Sequence, residues 1–452
     1  MVSACDVRVT PQGIFLQSFQ VTIRGDAGVT GSLSSRLPSA ANTPATFTVD
    51  VQAVGSDGLP YTTNESIFFT GSPGEVTPCS AFLINGQLTG QLVTIVRAFG
   101  RATINAFTGE FNCQSAATLD APLKPRAIGS SQQIYFPNLS IAEVQGTTLS
   151  PFVRKAVRID QGTLIVTHVT QDGFYVGDIT TSAYGNIFAY THSRPDDLFR
   201  GDRLTYLAGG VVEFPRNTSN GFTEVNFPSW AVDRSCGNQT CDVGAFCTSA
   251  DAGLCQNRIC TSGSQCNPGE VCSGTTCQAL SWLPAADVLT SAIGITYASA
   301  EMEKRESSFV RVDQVKVSPI FKNCDFNNSG ECEFCGYCDV NSDCPKAGQS
   351  CVGGACTPCD SVVQQEEQCE SDCENDVSCS SECDYKEYGQ WKVILEGGGG
   401  SAILVNSRDT VPDFDPKQNL GAVIKFVQGM LRDVPGKPGW VIEPRDPRDL
   451  SK

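Results

Sequence analysis

The residues in this chain best suited to chemistry are its 23 cysteines, and their spacing indicates which chemistry. Eight lie in residues 236–277, at Cys236, Cys241, Cys247, Cys255, Cys260, Cys266, Cys272 and Cys277. Twelve lie in residues 324–383, at Cys324, Cys332, Cys335, Cys338, Cys344, Cys351, Cys356, Cys359, Cys369, Cys373, Cys379 and Cys383. Only Cys5, Cys79 and Cys113 stand elsewhere. An even set in each cluster, plus the pair Cys79/Cys113, is what closed disulfide frameworks require, and such frameworks persist in an oxidising compartment. Cys332-x2-Cys335-x2-Cys338 with Cys344-Pro345, and Cys356-x2-Cys359, have metal-site spacing as well. An iron–sulfur run of the bacterial ferredoxin kind has three residues before its Cys-Pro, against five here, so a four-Cys zinc site is the better metal alternative. Disulfides are the expected state, and neither a metal nor a cofactor is assigned.

Acid–base chemistry has little to draw on. The two histidines are His168, in a run that alternates like a strand, and His192, in a polar loop with Arg194, Asp196 and Asp197. No GxSxG or HExxH motif accompanies them, so no catalytic residue is assigned. The alternative is a hydrolytic or metal-dependent enzyme with His192, Asp196 and Asp197 in a cleft. The 49 acidic against 32 basic residues give a formal charge of −17, which excludes a general nucleic-acid binder, because phosphate contacts need cations. Phe174, Tyr175, Phe188, Tyr190 and Tyr206 have the ring types that stack bases, but aromatics at alternating strand positions are core residues first. Residues 366–384 hold eight acids and no base, a surface for a basic partner or a solvated face. Cys369-x3-Cys373 and Cys379-x3-Cys383 have helical i,i+4 spacing there. Asp413-Phe414-Asp415 and Ser56-Asp57-Gly58 lack the oxygen set of a calcium loop and read as turns.

The elements that must carry these residues are β-strands. Apolar residues are 40% and charged ones 18%, with 43 Gly and 24 Pro, a turn-rich composition. In residues 18–121, Phe47, Val49, Val51 and Ala53 alternate with polar residues, as do Ala102, Ile104 and Ala106. About seven such runs suggest a β-sandwich. Its strand rhythm and its Gly71-Ser72-Pro73-Gly74 turn resemble bacterial Ig-like domains. Residues 122–150 read as a Pro-, Ser- and Gln-rich linker. A second pattern follows in residues 151–232: Gly173-Phe174-Tyr175-Val176-Gly177-Asp178, then Asn186-Ile187-Phe188-Ala189-Tyr190, a Gly201-Asp202 turn, and Gly209-Gly210-Val211-Val212-Glu213-Phe214. It resembles the OB-fold-like domains found beside secreted bacterial nucleases, without the nuclease domain.

Residues 281–322 and 385–452 repeat this pattern. Residues 390–395 take the place of the Phe174 run, 402–405 that of the Ile187 run and 422–431 that of residues 204–212, with Phe309-Val310-Arg311-Val312 and Val315-Lys316-Val317 supplying the earlier strands. Leu420-Gly421 replaces the Gly-Asp turn. The expectation is a mainly β chain with an Ig-like sandwich, two OB-like barrels in tandem and two disulfide-rich inserts at 233–280 and 323–384. The inserts share spacing: Cys260-x5-Cys266-x5-Cys272-x4-Cys277 against Cys338-x5-Cys344-x6-Cys351-x4-Cys356.

The leftover cysteine falls in Val2-Ser3-Ala4-Cys5, which resembles the lipobox of bacterial lipoproteins. That resemblance implies that Cys5 receives diacylglycerol, that residues 1–17 are a tether, and that the rest of a signal peptide precedes this sequence. No run approaches the ~20 apolar residues of a spanning helix, so membrane contact would come through the lipid alone. Together these features imply a non-enzymatic, extracytoplasmic lipoprotein of a Gram-negative outer membrane that contacts a cell-envelope protein. A carbohydrate-binding or adhesion role, with Trp230, Trp282 or Trp440 as a platform for a glycan, is the runner-up. An extracellular eukaryotic protein, glycosylated at Asn64, Asn138, Asn217, Asn238 and Asn327, is a further alternative.

Overall fold

The computed structural model describes residues 13–26, 28–111, 113, 123–214, 221–242, 245–249, 254–257, 270–273, 276–279, 283–293, 295, 299–318, 320–325, 331–336, 350–352, 355–357, 360–363, 389–395, 402–433 and 439–452. The chain divides into two compact units, Met1–Leu139 and Ser140–Lys452.

Among the described residues the first unit is a β-sandwich of nine strands: β1 Leu16–Ile23, β2 Ala45–Gly55, β3 Ser66–Ser72, β4 Glu75–Thr77, β5 Ser80–Phe82, β6 Gln87–Val96, β7 Arg101–Glu110, β8 Leu123–Ser130 and β9 Ile134–Tyr135. The hydrogen-bonded order is β4-β6-β2-β1-β8-β7-β3-β5, with β9 on β7. β1 is antiparallel to β2 but parallel to β8, and there the two layers join. Alternation sends one side of each strand inward: Phe47, Val49, Val51 and Ala53 of β2 meet Ile67, Val93, Ile95 and Ile104, all at most 5% exposed. Cys79 and Cys113 form a disulfide.

The stretch expected to be a linker, 122–150, is not one. β8 pairs with both β1 and β7, and β9 pairs with β7. Leu-Lys-Pro-Arg-Ala-Ile-Gly-Ser carries no period-2 alternation, so β8 is specified by its backbone pairing with neighbours. Beyond Leu139 the chain enters α1, Ile141–Gln145, through a capping box between Ser140 and Glu143.

The second unit holds two closed sheets. In the first barrel the strands are β10 Ala156–Ile159, β11 Leu164–Val169, β12 Gly173–Asp178, β13 Asn186–Tyr190, β14 Arg203–Phe214 and β15 Phe222–Asp233. Its ring runs β11-β12-β13-β15-β14 and back to β11, with one parallel pair, β13 with β15. Next come hairpins of the first insert: β16 Ser235–Cys236 with β17 Gln239–Thr240, β18 Ala245–Ser249 with β19 Leu254–Asn257, and β20 Glu270–Ser273 with β21 Thr276–Ala279.

The second barrel begins with β22 Asp287–Val288, the short helix α2 Ala300–Glu303 and β23 Phe309–Val317. Its ring is then interrupted by the second insert: β24 Ile320–Asp325, β25 Glu331–Gly336 and β28 Asp360–Val363 form one sheet, and β26 Ser350–Val352 with β27 Ala355–Thr357 form a hairpin. β29 Gln390–Leu395, β30 Ala402–Asn406, β31 Val423–Asp433, β32 Trp440–Glu443 and β33 Leu450–Ser451 complete it. The ring β23-β29-β30-β32-β31 closes on β23, again with one parallel pair, β30 with β32. The five ring strands therefore repeat in the same order, with the runs 309–312 and 315–317 joined in the single strand β23, while the outer strands β10, β22 and β33 are not shared.

The match extends to single hydrogen bonds. Gly201 donates to the Val166 carbonyl at 2.7 Å and Val166 donates to that of Asp202 at 2.8 Å; Gly421 donates to Val317 at 3.2 Å and Val317 to Ala422 at 2.9 Å. Gly201 (φ 87°) and Gly421 (φ 72°) both occupy the left-handed region, so the replacement of Gly-Asp by Leu-Gly shifts the turn's sequence without losing its glycine.

Candidate functional site

Two parts of the second unit gather groups capable of recognition: a buried seam between the barrels and an exposed ledge beside it. The seam begins with rings. Tyr175, Phe188 and Phe222 of the first barrel pack against Met430 of the second, with Tyr190 and Phe309 at the edge. Tyr175 and Phe188 are thus covered and offer no stacking face. The Tyr175 hydroxyl donates to Glu443 at 3.2 Å, and the other Glu443 oxygen lies 3.0 Å from Arg432 Nε. Burial, then the Glu443 charge, pushes the Tyr175 hydroxyl well above its ordinary range.

A basic side of the seam surrounds His168, whose ring stacks on Tyr175 at 6.2 Å. Burial, followed by the charges of Arg200, Arg445 and Arg194, drives this imidazole well below its ordinary range, which keeps it neutral. Arg445 lies over the Phe309 ring at 3.4 Å and bonds Asp449 at 2.8 and 3.1 Å, with side chains only 6% and 0% exposed. Arg200, on the loop before β14, reaches Asp446 at 3.7 Å and so ties the first barrel to the last turn of the second.

An acidic side lies where the segment after α2 meets the first barrel. Glu306 accepts from the Thr223 backbone at 3.0 Å, and Glu213 accepts from the Ser150 backbone at 2.7 Å and the Thr223 hydroxyl at 3.0 Å. Burial raises Glu213, Glu224 and Glu303 to about 7. Glu306 is raised well above its ordinary range, by burial and then by its neighbours Glu303 and Glu213. One oxygen each of Glu213 and Glu306 is buried with no hydrogen-bond partner. A protonated carboxyl suits such a place better than a charged one.

The ledge is small and open. Tyr190 and His192 rings lie 4.3 Å apart, His192 and Phe227 rings 5.1 Å, and Phe227 is 80% exposed. The parallel register Tyr190↔Asn226 brings the two segments together. His192 (φ 63°) and Phe227 (φ 50°) both hold left-handed backbone, at a cost of about 1–2 kcal/mol each. Strain of this kind collects at functional surfaces.

His192, Asp196 and Asp197 are all exposed, and among the described residues no hydrogen bond or ion pair joins His192 to either aspartate. Of the tryptophans considered as a glycan platform, Trp440 is only 4% exposed, in the second barrel's core, and cannot serve; Trp230 sits edge-on to Phe174 at 5.0 Å; Trp282 lies outside the described residues. The burial of Trp440 follows from its place on β32 between two ring strands, which an isolated Trp in a Pro- and Gly-rich stretch does not reveal.

Two further disulfides interlace, Cys236–Cys247 and Cys241–Cys255. The sulfurs of Cys236, Cys241 and Cys255 fall within 4.8 Å of one another, but both crosslinks consume them and leave no thiolate for a metal. Cys272↔Cys277, Cys324↔Cys332 and Cys351↔Cys356 are opposite in strand register, and Cys335 is on β25. Register alone does not give connectivity, since Cys247 and Cys255 are also opposite and bond elsewhere. Cys5, Cys260, Cys266, Cys338, Cys344, Cys359, Cys369, Cys373, Cys379 and Cys383, and the acidic stretch 366–384, lie outside the described residues.

No protein-family model, curated protein or solved structure matches this chain. Among the described residues, no helix is long and apolar enough to cross a membrane.

Proposed function

We propose that this chain is a non-enzymatic binding or assembly protein outside the cytoplasm, tethered to a bacterial outer membrane through lipid on Cys5, and that it holds a cell-envelope protein at the ledge of its first barrel. The observation that carries this reading is Phe227: a large apolar ring 80% exposed on left-handed backbone, backed by the rings of His192, also on left-handed backbone, and Tyr190. A ring held outward at a cost in backbone energy suits a partner pocket, and aromatic anchors of this type dominate protein interfaces. Residues 140–452 hold 41 acidic and 25 basic residues, which favours a partner with a basic surface and a salt-sensitive on-rate.

Affinity capture from native envelopes tests the partner. The full chain is expected to retain one envelope protein at low salt, less at high salt, and far less with Phe227→Ala; equal capture by the variant contradicts the reading. Intact mass of the native protein tests the tether, with a diacylglyceryl or triacyl increment expected on Cys5.

A further inference from the structure

A pocket of about 200 Å³ opens on the sandwich, lined by Leu33, Arg36, Gly100, Arg101, Tyr135 and Asn138 above the buried ring of Phe136. Its walls are pinned by backbone. Tyr135 donates to Thr30 and accepts from Leu37, both at 2.8 Å, which fixes the loop that carries Leu33 and Arg36. Gly100 donates to Pro137 at 3.0 Å and accepts from Phe136 at 2.8 Å, and Arg101 is opposite Tyr135 in the β7–β9 ladder. The pocket is therefore preformed.

Its charge is one-sided. Among the described residues two guanidiniums line it and no carboxylate does. Among the described residues the side chain of neither Arg36 nor Arg101 has an ion pair or hydrogen bond, although Arg24 and Arg97 on the same sandwich are both paired with acids. Two unpaired arginines at one pocket are donors waiting for an oxyanion, since the guanidinium fork matches a carboxylate in two parallel bonds. The remaining lining adds an amide at Asn138, a phenol at Tyr135 and an apolar edge at Leu33, which is 58% exposed. At about 30 Å³ per water, the space is that of roughly seven waters, which is the scale of one sugar ring.

From this we infer that the sandwich binds one acidic sugar residue, a hexuronate, with its carboxylate held between Arg36 and Arg101 and its ring against Tyr135 and Leu33. The site belongs to the first unit and is independent of the ledge at Phe227. The test is calorimetric titration of the full chain with glucuronate, glucose and inorganic phosphate, on wild type, Arg36→Gln and Arg101→Gln. Both arginines are exposed and unpaired, so the variants are expected to fold, and circular dichroism checks that they do. Saturable glucuronate binding that weakens at least tenfold in each variant, with no glucose binding, supports the site. Glucuronate binding unchanged in both variants, or no saturable binding at all, overturns it. Phosphate bound as tightly as glucuronate overturns the sugar assignment and leaves a bare anion cradle.

Discussion

The two barrels share one strand order and one turn, yet they close themselves with opposite chemistry. The first barrel connects β11 to β12 through the tight turn at residues 170–172, whereas the second opens the equivalent connection, β23 to β29, to residues 318–389. By strand register, Glu224 opposite Phe188 takes the position that Val441 opposite Leu404 holds in the second barrel. The first barrel thus buries an acid where the second buries an aliphatic side chain. In compensation, the second barrel locks its C-terminal strand with the ion pair Arg445–Asp449, whose aspartate also accepts from Gln428 at 2.8 Å. Duplicated strands can keep their ring while the polar groups at the seam diverge, because the ring depends on backbone pairing and the seam on individual side chains.

The largest expected difference comes from that lock. Arg445→Ala strands Asp449 at 0% exposure without its cation and is expected to cost about 3–5 kcal/mol, whereas Arg158→Ala in the first barrel, whose ion pair with Asp160 is long and half-exposed, is expected to cost under about 1 kcal/mol. Urea unfolding of both variants measures it, and equal costs would break the comparison.

The acidic and basic sides of the seam are also expected to respond oppositely to pH. The carboxyls of Glu213 and Glu224 titrate at about 7 when folded, against an ordinary value of 4.5. Between those values the folded state keeps protons that the unfolded state has lost, so their contribution to stability falls as pH rises from 4.5 through about 7. Asp446 has the other sign. Burial alone would raise it, but hydrogen bonds from Arg448 hold it below 3.8, so its stabilisation is lost on acidification through that range. A pH series of melting temperatures on wild type and Glu306→Gln checks this; the variant is expected to gain most at pH 8, and an equal gain at pH 5 would contradict the burial argument.

A smaller contrast lies at two matched glycines. A Cβ on Gly429 would come 2.3 Å from the Glu443 carbonyl oxygen, and one on Gly209 would come 2.8 Å from that of Asn226, the equivalent residue. Alanine is expected to cost about 1–3 kcal/mol at either site, more at Gly429, read from the urea midpoint. Smallest is the shared turn. Asp202 and Ala422 make the same backbone bond, donating to Phe199 and Asn419 respectively at 3.0 Å, but only Asp202 adds a carboxylate, which accepts from the Phe199 backbone at 2.7 Å. Asp202→Ala is expected to cost about 1 kcal/mol, and the first barrel alone depends on that carboxylate.

What the sequence made legible follows the same division. Ring strands could be read because Phe174, Trp391 and their neighbours form short apolar runs of strand length, and the duplicated order could be read from the repeated runs. The pairing of Cys79 with Cys113 followed from cysteine counting, but the interlaced pairs did not, because an even number fixes no connectivity. Glu306 was hidden: it lies in Glu-Met-Glu-Lys-Arg-Glu-Ser-Ser, which reads as a solvated helix end, and its burial depends on Thr223, 83 residues away. Tyr175 and Phe188 read as core, correctly, but the core they join belongs partly to the other barrel. Phe227 gave no signal, since one Phe before a Pro has no periodicity.

Photo-crosslinking in native envelopes, with a benzophenone amino acid placed at position 227 or at position 175, tests the central claim most directly. The account predicts that position 227 captures a separate envelope protein while position 175 crosslinks only within the chain, to the neighbourhood of Met430. Capture of a partner from position 175, or none from position 227, would contradict it.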